Sequence, residues 1–298
     1  MCGIIAFPKK TKLDKKTIGV IENGLKLLAH RGSDSFGIIG IAKINNKKVL
    51  KLVKSLHFEN FINMIKSSLI NVEFDFIVIH NRKKSIGKID IELAHPVGKN
   101  DIYVVQNGTK KSLSINEKSD TYGIYVLYKA EELKPEDLKN SGVVFIIDGK
   151  NKKILFHKDD TRTLYINETK NLIASEPILA GKWTLIGNNE LDTFDIENIK
   201  LTNFEYEIKD INKEICDYCL KEGVIIEKRG KICKCANCYN REKTLEEILK
   251  EKSKGKKHKN HPLVEYSKNG IFYYEDFEDF EDKNINYKTG IIYPDFTE

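Results

Sequence analysis

The sequence begins with MCGIIAF, residues 1–7, which places a cysteine directly before a short apolar run. Removal of Met1 would leave Cys2 as the first residue, with a thiol and a free α-amino group together. An α-amine has a pKa of roughly 7.7–8.0, so near neutral pH part of it is neutral and can accept the proton of the adjacent thiol. The alternative is that Cys2 is a small apolar residue beginning a first strand. The rest of the sequence has to distinguish these roles.

Composition indicates a folded protein. The chain has 298 residues, of which 40% are hydrophobic, and a net charge of +6. This length suits one large domain with an appendage or two modest domains. It contains no apolar run near twenty residues and no apolar leader, so we expect a cytoplasmic protein without a membrane segment. In a reducing compartment its six cysteines are more typical of metal binding or catalysis than of disulfides.

Alternating apolar patterns predict strands and helices in the first two hundred residues. Helical spacing of apolar residues occurs over 17–31, 59–70 and 119–133. Short β-branched and aromatic runs predict strands at 2–7, 36–44, 49–56, 74–81, 101–108, 142–149, 152–159 and 171–177. Several strands follow one another directly, which favours antiparallel sheets covered by helices over a doubly wound parallel sheet. The fold class is therefore α+β.

Seven short motifs occur in a fixed order. They are MCGI at the start, HRGSDSFG (30–37), NRKKSIG (81–87), LAHP (93–96), VQNG (105–108), SDT (119–121) and IASEP (173–177). Each is weak evidence alone, since Asn-Gly is also the commonest hairpin turn. Together they resemble a class II glutamine amidotransferase domain, whose catalytic residue is an N-terminal nucleophile (Ntn). The resemblance covers about the first 180 residues and implies a four-layer αββα sandwich of stacked antiparallel sheets.

The resemblance also implies catalytic roles. Cys2 would attack the side-chain amide of glutamine and form a γ-glutamyl thioester, with its own α-amine as the base. The side-chain amide of Asn107 and the backbone N–H of Gly108 would donate to the tetrahedral oxyanion. Loss of such donors reduces the rate on the order of 100- to 1000-fold in acyl-transfer enzymes.

A substrate that is an amino acid presents a carboxylate and an ammonium group. Arg82 fits the carboxylate because its planar fork binds carboxylates bidentately, and Asp120 fits the ammonium. Ser85 stands where the family's loop usually has Thr and is a further contact for the substrate carboxylate. The alternatives are a surface arginine in the basic run NRKK, a helix N-cap at Asp120 and a plain loop serine.

Four positions depart from the family's motifs and indicate a divergent member. Lys83, Leu93, Gln106 and Tyr122 replace an aromatic residue, Asn, His and Glu respectively. We expect His30 and His95 to shape the fold through hydrogen bonds rather than to act as acid or base.

A second module begins after residue 210. Cys216 and Cys219 form one C-x2-C pair and Cys235 and Cys238 another, with fifteen residues between them. This spacing is typical of a four-thiolate zinc ribbon, in which the metal folds a segment too small to fold alone. Cys233 is an alternative ligand to Cys235, and an iron–sulfur cluster is an alternative to zinc. No organic cofactor is expected.

The predicted domains are an amidotransferase-like domain over 2–210, a zinc-ribbon-like module over 211–245, and a charged helical segment with an acidic-aromatic tail over 246–298. The sequence contains no Gly-rich phosphate loop and no room for a synthetase, so the ammonia would pass to a separate acceptor or synthetase protein. Lysines near the ribbon would also allow nucleic-acid binding. The competing hypotheses are another Ntn reaction and a catalytically lapsed scaffold that binds a protein or nucleic acid through its ribbon.

Overall fold

The computed structural model describes residues 2–44, 47–115 and 118–208, and beyond them short strands within residues 213–292. The chain divides into two compact units, Met1–Arg241 and Glu242–Glu298. In the second unit, strand Leu263–Tyr266 pairs with Phe272–Glu275, and Ile285–Asn286 pairs with Ile291–Ile292. The predicted charged helical segment, which begins at residue 246, lies outside the described residues.

The three predicted helices are confirmed. They are α1 (Lys15–Leu27), α2 (Phe58–Ser68) and α3 (Asp120–Lys129). The side chain of Asp14 caps α1 by accepting a hydrogen bond from the backbone N–H of Thr17, and Ser119 caps α3 by accepting one from Tyr122. None of the described helices is both long and apolar enough to cross a membrane.

Two antiparallel sheets form most of the first unit, which confirms the α+β class. The strands are β1 (Gly3–Phe7), β2 (Thr11–Lys12), β3 (Ser35–Ile44), β4 (Lys47–Ser55), β5 (Glu73–Arg82), β6 (Val97–Lys99), β7 (Ile102–Asn107), β8 (Val143–Asp148), β9 (Lys153–Lys158), β10 (Tyr165–Asn167), β11 (Leu172–Ala174), β12 (Gly181–Ile186), β13 (Asn189–Thr193) and β14 (Leu201–Ile208). Among the described residues the larger sheet has the order β14-β12-β10-β11-β1-β5-β3-β4, with β2 beside β5, and the smaller has the order β13-β9-β8-β7-β6. Three further strands, β15 (Lys213–Ile215), β16 (Glu222–Arg229) and β17 (Ile232–Cys235), pair in that order.

The register of β1 places Cys2 between the ends of two other strands. Gly3 pairs with Asn81 on β5, and Ile5 pairs with Ala174 on β11. Because these strands are antiparallel to β1, the residues that follow β5 and β11 emerge beside Cys2. The motifs NRKKSIG and IASEP therefore meet the N-terminal cysteine although they are far from it in sequence.

Alternate residues of β1 enter different apolar clusters. Ile5 and Phe7 pack with Ile18 and Ile21 of α1 on one face of the larger sheet. These isoleucines of β1 and α1 are at most 2% exposed, and each such side chain contributes roughly 1.5–3 kcal/mol through burial. Period-two alternation in the strand and helical spacing in α1 thus build the same core.

Two further apolar clusters lie between the two sheets and between the smaller sheet and α3. Ile4 of β1 lies in a second cluster with Phe145 of β8, which joins residues of the two sheets. Val144, the residue before Phe145 in β8, lies in a third cluster with Ile124 of α3. Successive residues of a strand therefore point to opposite, fully apolar surroundings.

Candidate functional site

Three separate segments hold Cys2 in place. Its backbone N–H donates to Oδ1 of Asn107 at 3.2 Å, and its carbonyl oxygen accepts from Nε of Arg31 at 2.9 Å. The backbone N–H of Lys83 donates to the sulfur at 3.3 Å. Cys2 is 8% exposed and directly precedes β1.

The surroundings of Cys2 favour the protonated thiol. Burial raises the pKa of the Cys2 thiol, while the Lys83 hydrogen bond and the positive charges of Arg82 and Arg31 act in the opposite direction. A nucleophilic Cys2 therefore needs a base close by, and the base nearest to the thiol would be its own α-amine.

A buried ion pair lies behind Cys2. Nη1 of Arg31 pairs with Oε1 of Glu176, and Nε2 of His30 lies 3.2 Å from the same oxygen. Burial acts to raise the pKa of Glu176, but Arg31 and His30 outweigh it and hold the carboxyl below its usual range. No role was predicted for Arg31 or Glu176 from the sequence, although they lie in the motifs HRGSDSFG and IASEP.

Asn107 and Gly108 lie at the end of β7. Nδ2 of Asn107 donates to Oγ of Ser175 at 3.3 Å, and the same oxygen accepts from the N–H of Ile4 at 2.9 Å. A Cβ on Gly108 would lie 1.8 Å from the carbonyl oxygen of Ser141, so this position admits no side chain without backbone movement. Ser175, which the sequence analysis missed, links Asn107 to β1.

Arg82 organises the segment 83–88 above Cys2. Its Nη1 donates to the carbonyl oxygen of Lys88 at 2.9 Å and its Nη2 to that of Ile86 at 2.8 Å. Ser85 in this segment accepts from the hydroxyl of Thr109 at 3.2 Å. Arg82 is 3% exposed, which excludes the alternative of a surface arginine.

Asp120 is the first residue of α3 and its side chain turns inward. Oδ2 accepts from the N–H of Lys110 at 2.7 Å and from Nε2 of Gln106 at 3.3 Å. Ser119, not Asp120, caps the helix, so the N-cap alternative for Asp120 is wrong. Burial raises the pKa of Asp120, and the two hydrogen bonds oppose this.

Two stacked histidines lie beneath these groups. The rings of His80 and His95 are 4.1 Å apart. Burial lowers the pKa of His80 to about 3 and that of His95 well below its ordinary value, so both rings are neutral at physiological pH. His30 lies elsewhere, with Nδ1 3.0 Å from the carbonyl oxygen of Leu27.

A small cavity brings most of the predicted site residues together. It is lined by Cys2, Arg82, Lys83, Ser85, Ile86, His95, Gln106, Gly108, Ser119, Asp120 and Thr121. Asn107 does not line it but contacts Cys2 directly. The space inside is about 10 Å³, room for roughly one water molecule. A larger depression lies at the C-terminal end of α3, but its lining of lysines, tyrosines and acidic residues contains no cysteine.

The predicted zinc ligands lie largely outside the described residues. This applies to Cys216, Cys219 and Cys238, whereas the backbone of Cys235 lies in β17, opposite Ile225. The alternative ligand Cys233 lies in the same strand, opposite Lys228. Among the described side chains, which include none of these cysteines, no group of three or more His, Cys, Asp or Glu could hold a metal ion.

Comparison with known proteins gives matches among solved structures. No protein-family model and no curated protein matches the chain. It is similar to the glutamine phosphoribosylpyrophosphate amidotransferase from B. subtilis complexed with ADP and GMP, with 17% identity, 65% of this chain and 49% of that chain covered, and a TM-score of 0.41.

Two further solved structures are similar to the chain. One is described as the allosteric regulatory enzyme of purine biosynthesis, with 17% identity, 65% and 48% of the two chains covered, and a TM-score of 0.44. The other is a glutamine aminotransferase class-II domain protein from Silicibacter pomeroyi, with 10% identity, 65% and 99% covered, and a TM-score of 0.34. The chain spans about half the length of the first of these structures and of the B. subtilis enzyme.

Proposed function

We propose that this protein hydrolyses the side-chain amide of glutamine, with Cys2 as the nucleophile after Met1 is removed. The observation that carries the proposal is that Cys2, Arg82, Gly108 and Asp120 line one cavity although they are distant in sequence. A thiol, an arginine fork, an oxyanion donor and a carboxylate are the groups that hydrolysis of an amino-acid amide requires. The ordered motifs independently support the same reaction.

The charged residues that line the cavity suit the two charged groups on the α-carbon of glutamine. The α-carboxylate would bind the guanidinium of Arg82, with Ser85 as a further hydrogen-bond partner. The α-ammonium would pair with the carboxylate of Asp120, whose Oδ2 is already oriented by two protein hydrogen bonds. The amide carbon would then face the sulfur of Cys2.

The first half of the reaction forms a thioester. The α-amine of Cys2 takes the thiol proton, the sulfur bonds to the amide carbon, and the carbonyl electrons move onto oxygen. The backbone N–H of Gly108 and the second N–H of the Asn107 side chain stabilise this oxyanion. When the C–N bond breaks, the ammonium of Cys2 returns its proton to the leaving nitrogen and ammonia departs.

The second half releases glutamate. The neutral α-amine accepts a proton from water as the oxygen attacks the thioester carbon. The C–S bond then breaks, and the proton returns to the sulfur. The oxyanion donors act a second time, which is why their loss affects both halves of the reaction.

Substrate entry requires the segment 83–88 to move. The cavity holds roughly one water molecule, and glutamine is much larger. The N–H groups of Arg82 that would bind the substrate carboxylate now hold the carbonyl oxygens of Ile86 and Lys88. Substrate binding would therefore replace the hydrogen bonds from Arg82 to these two carbonyl oxygens with hydrogen bonds from Arg82 to the substrate carboxylate.

The ammonia is proposed to serve a separate acceptor protein, and Cys216, Cys219, Cys235 and Cys238 are proposed to bind zinc in a module that docks this partner. Binding of nucleic acid by that module is the alternative. The four-layer sandwich is likewise part of the proposal. The three apolar clusters, which join helices to the larger sheet, the two sheets to each other and α3 to the smaller sheet, support it.

The test is release of ammonia and glutamate from glutamine by protein whose intact mass shows loss of Met1. Cys2→Ala should abolish release. A matched control retains an uncleaved residue before Cys2, which leaves the thiol but converts the amine to an amide, and it should also be inactive. Labelling of Cys2 by an electrophilic glutamine analogue reports on the site without turnover.

Turnover that persists in Cys2→Ala would overturn the proposal. Absence of both turnover and labelling, with Cys2 free at the N-terminus, would also overturn it and favour the lapsed scaffold. Labelling without turnover would support the nucleophile and indicate that a partner completes the site.

A further inference from the structure

We propose that Gln106 is a positioning residue that orients Asp120 toward the α-ammonium group of the substrate. The inference rests on the proposed function and deepens it, because it explains how the site would select an α-amino acid. Gln106 occupies the position where the resembled motif has histidine. It is 1% exposed, and both ends of its carboxamide are hydrogen-bonded.

A chain of directed hydrogen bonds determines the orientation of the Gln106 carboxamide. Nδ1 of His95 accepts from the backbone N–H of Gln106 at 3.2 Å, so this ring nitrogen carries no proton. The neutral ring then has its proton on Nε2, which donates to Oγ1 of Thr121 at 3.1 Å. The Thr121 hydroxyl in turn donates to Oε1 of Gln106 at 2.8 Å. Oε1 is therefore an acceptor, and the amide nitrogen must lie at the opposite end.

The amide nitrogen of Gln106 has two acceptors. Nε2 donates to Oδ2 of Asp120 at 3.3 Å and to the carbonyl oxygen of Ser141 at 3.2 Å. The reversed orientation would place the carboxamide oxygen against these two acceptors, so it is excluded electrostatically. The backbone of Gln106 is fixed as well, since its carbonyl oxygen accepts from Nε2 of His80 at 3.0 Å.

The consequence for Asp120 concerns both position and charge. Its Oδ2 is held by Lys110 and Gln106, which fixes the carboxylate in the lining of the cavity, where it can meet a cation. Burial favours the neutral carboxyl, and the Gln106 hydrogen bond favours the carboxylate. Without Gln106, Asp120 would lose one of the two side-chain and backbone donors to Oδ2 and part of the stabilisation of its charge, so the substrate ammonium would bind less tightly.

The experiment compares glutamine with its des-amino analogue, 4-carbamoylbutanoate, which keeps the amide and the carboxylate but lacks the α-amino group. Gln106→Met preserves length and removes both hydrogen-bonding ends. We expect kcat/KM for glutamine to fall about ten- to hundredfold, mainly because KM rises. This is the size of effect expected when a hydrogen bond to a charged group is lost. The value for the des-amino analogue should stay within about threefold of wild type.

Two further variants make the test independent of the folding of Gln106→Met. Thr121→Val removes the hydroxyl that orients the Gln106 carboxamide. It should also lower the preference for glutamine over the des-amino analogue. Thr184→Val makes the same change at a buried threonine of β12 outside this network and should leave the preference unchanged.

The inference would be overturned if Gln106→Met and Thr121→Val leave the ratio of kcat/KM for glutamine to kcat/KM for the des-amino analogue unchanged. A merely structural role would lower kcat/KM equally for both substrates. If wild-type protein releases no ammonia from glutamine, the proposed function fails and this inference falls with it. Activity in the wild type with an unchanged preference in both variants refutes the inference alone.

Discussion

Replacement of Glu176 by glutamine tests whether the buried ion pair behind Cys2 stabilises the fold. Arg31 is 1% exposed and Glu176 is 5% exposed, so both members of the pair are buried. Removing one partner of a buried pair leaves the other charge uncompensated, which destabilises proteins by about 3–5 kcal/mol. The carboxamide of glutamine can still accept one hydrogen bond, so we expect about 3 kcal/mol. For a domain of this size that corresponds to a decrease in Tm of roughly 6–12 °C.

The assay is urea unfolding followed by the fluorescence of Trp183, the sole tryptophan of the chain, which is fully buried in β12. Glu176→Gln, Arg31→Met and the double variant form a mutant cycle. The double variant contains no unpaired buried charge, so its loss of stability should be smaller than the sum of the two single losses. We expect the difference in the free energy of unfolding to be about 2 kcal/mol or more.

A matched control is the surface pair between Lys10 and Glu73, whose side chains are 65% and 43% exposed. Glu73→Gln should change the free energy of unfolding by no more than about 0.5 kcal/mol. The reasoning is refuted if Glu176→Gln costs less than about 1 kcal/mol, or if the two single losses simply add in the double variant.

Three other perturbations have defined outcomes. Gly108→Ala places a Cβ 1.8 Å from the carbonyl oxygen of Ser141, so the oxyanion donor must move, and kcat with glutamine should fall roughly 100- to 1000-fold. Gly19→Ala, whose Cβ meets nothing within 4 Å, is the control, and an unchanged kcat in Gly108→Ala would contradict the assigned role. Burial lowers the pKa of His80 to about 3, so between pH 3 and 6.5 the unfolded chain binds more protons than the folded one. This residue should therefore lower the free energy of unfolding by about 1.4 kcal/mol for each pH unit below 6.5. Urea titrations at pH 6 and 5 should show that the free energy of unfolding depends less on pH in His80→Asn than in wild type. An equal pH dependence in the two proteins would be inconsistent with a neutral His80. Metal analysis should find one zinc ion per chain that is lost in Cys216→Ser and Cys238→Ser but kept in Cys233→Ser. Loss of zinc in Cys233→Ser would instead identify Cys233 as a ligand.

Local patterns were sufficient for much of the fold. The three helices were predicted because apolar residues recur at helical spacing. The eight predicted strands, from β-branched and aromatic runs, correspond to β1, β3, β4, β5, β7, β8, β9 and β11. Among the strands up to β14, those that were not predicted are β2, β6, β10, β12, β13 and β14. β13, NELDT, has no buried residue and alternates without a strong apolar face, so its pairing with β9 leaves little trace in the sequence.

The residues around Cys2 were predicted to different degrees. Arg82, Ser85, Gly108 and Asp120 were proposed from motif resemblance, and the structure places them around one cavity with Cys2. The same approach gave no role to Glu176, because a carboxylate near a proline has no local signature of a distant arginine partner. It also treated Gln106 as a departure from a motif rather than as part of a network.

The sequence by itself determined the elements and the chemistry available, because helix spacing, strand alternation, caps and reactive side chains are local properties. It also determined that a cysteine follows Met1. The tertiary structure alone decided which polar groups meet. The antiparallel register of β1 with β5 and β11 brings residues 82–83 and 175–176 to Cys2, and in a water-excluded interior most buried donors and acceptors are paired. The orientation of Gln106 and the position of Asp120 follow from that pairing, and no window of local sequence contains it.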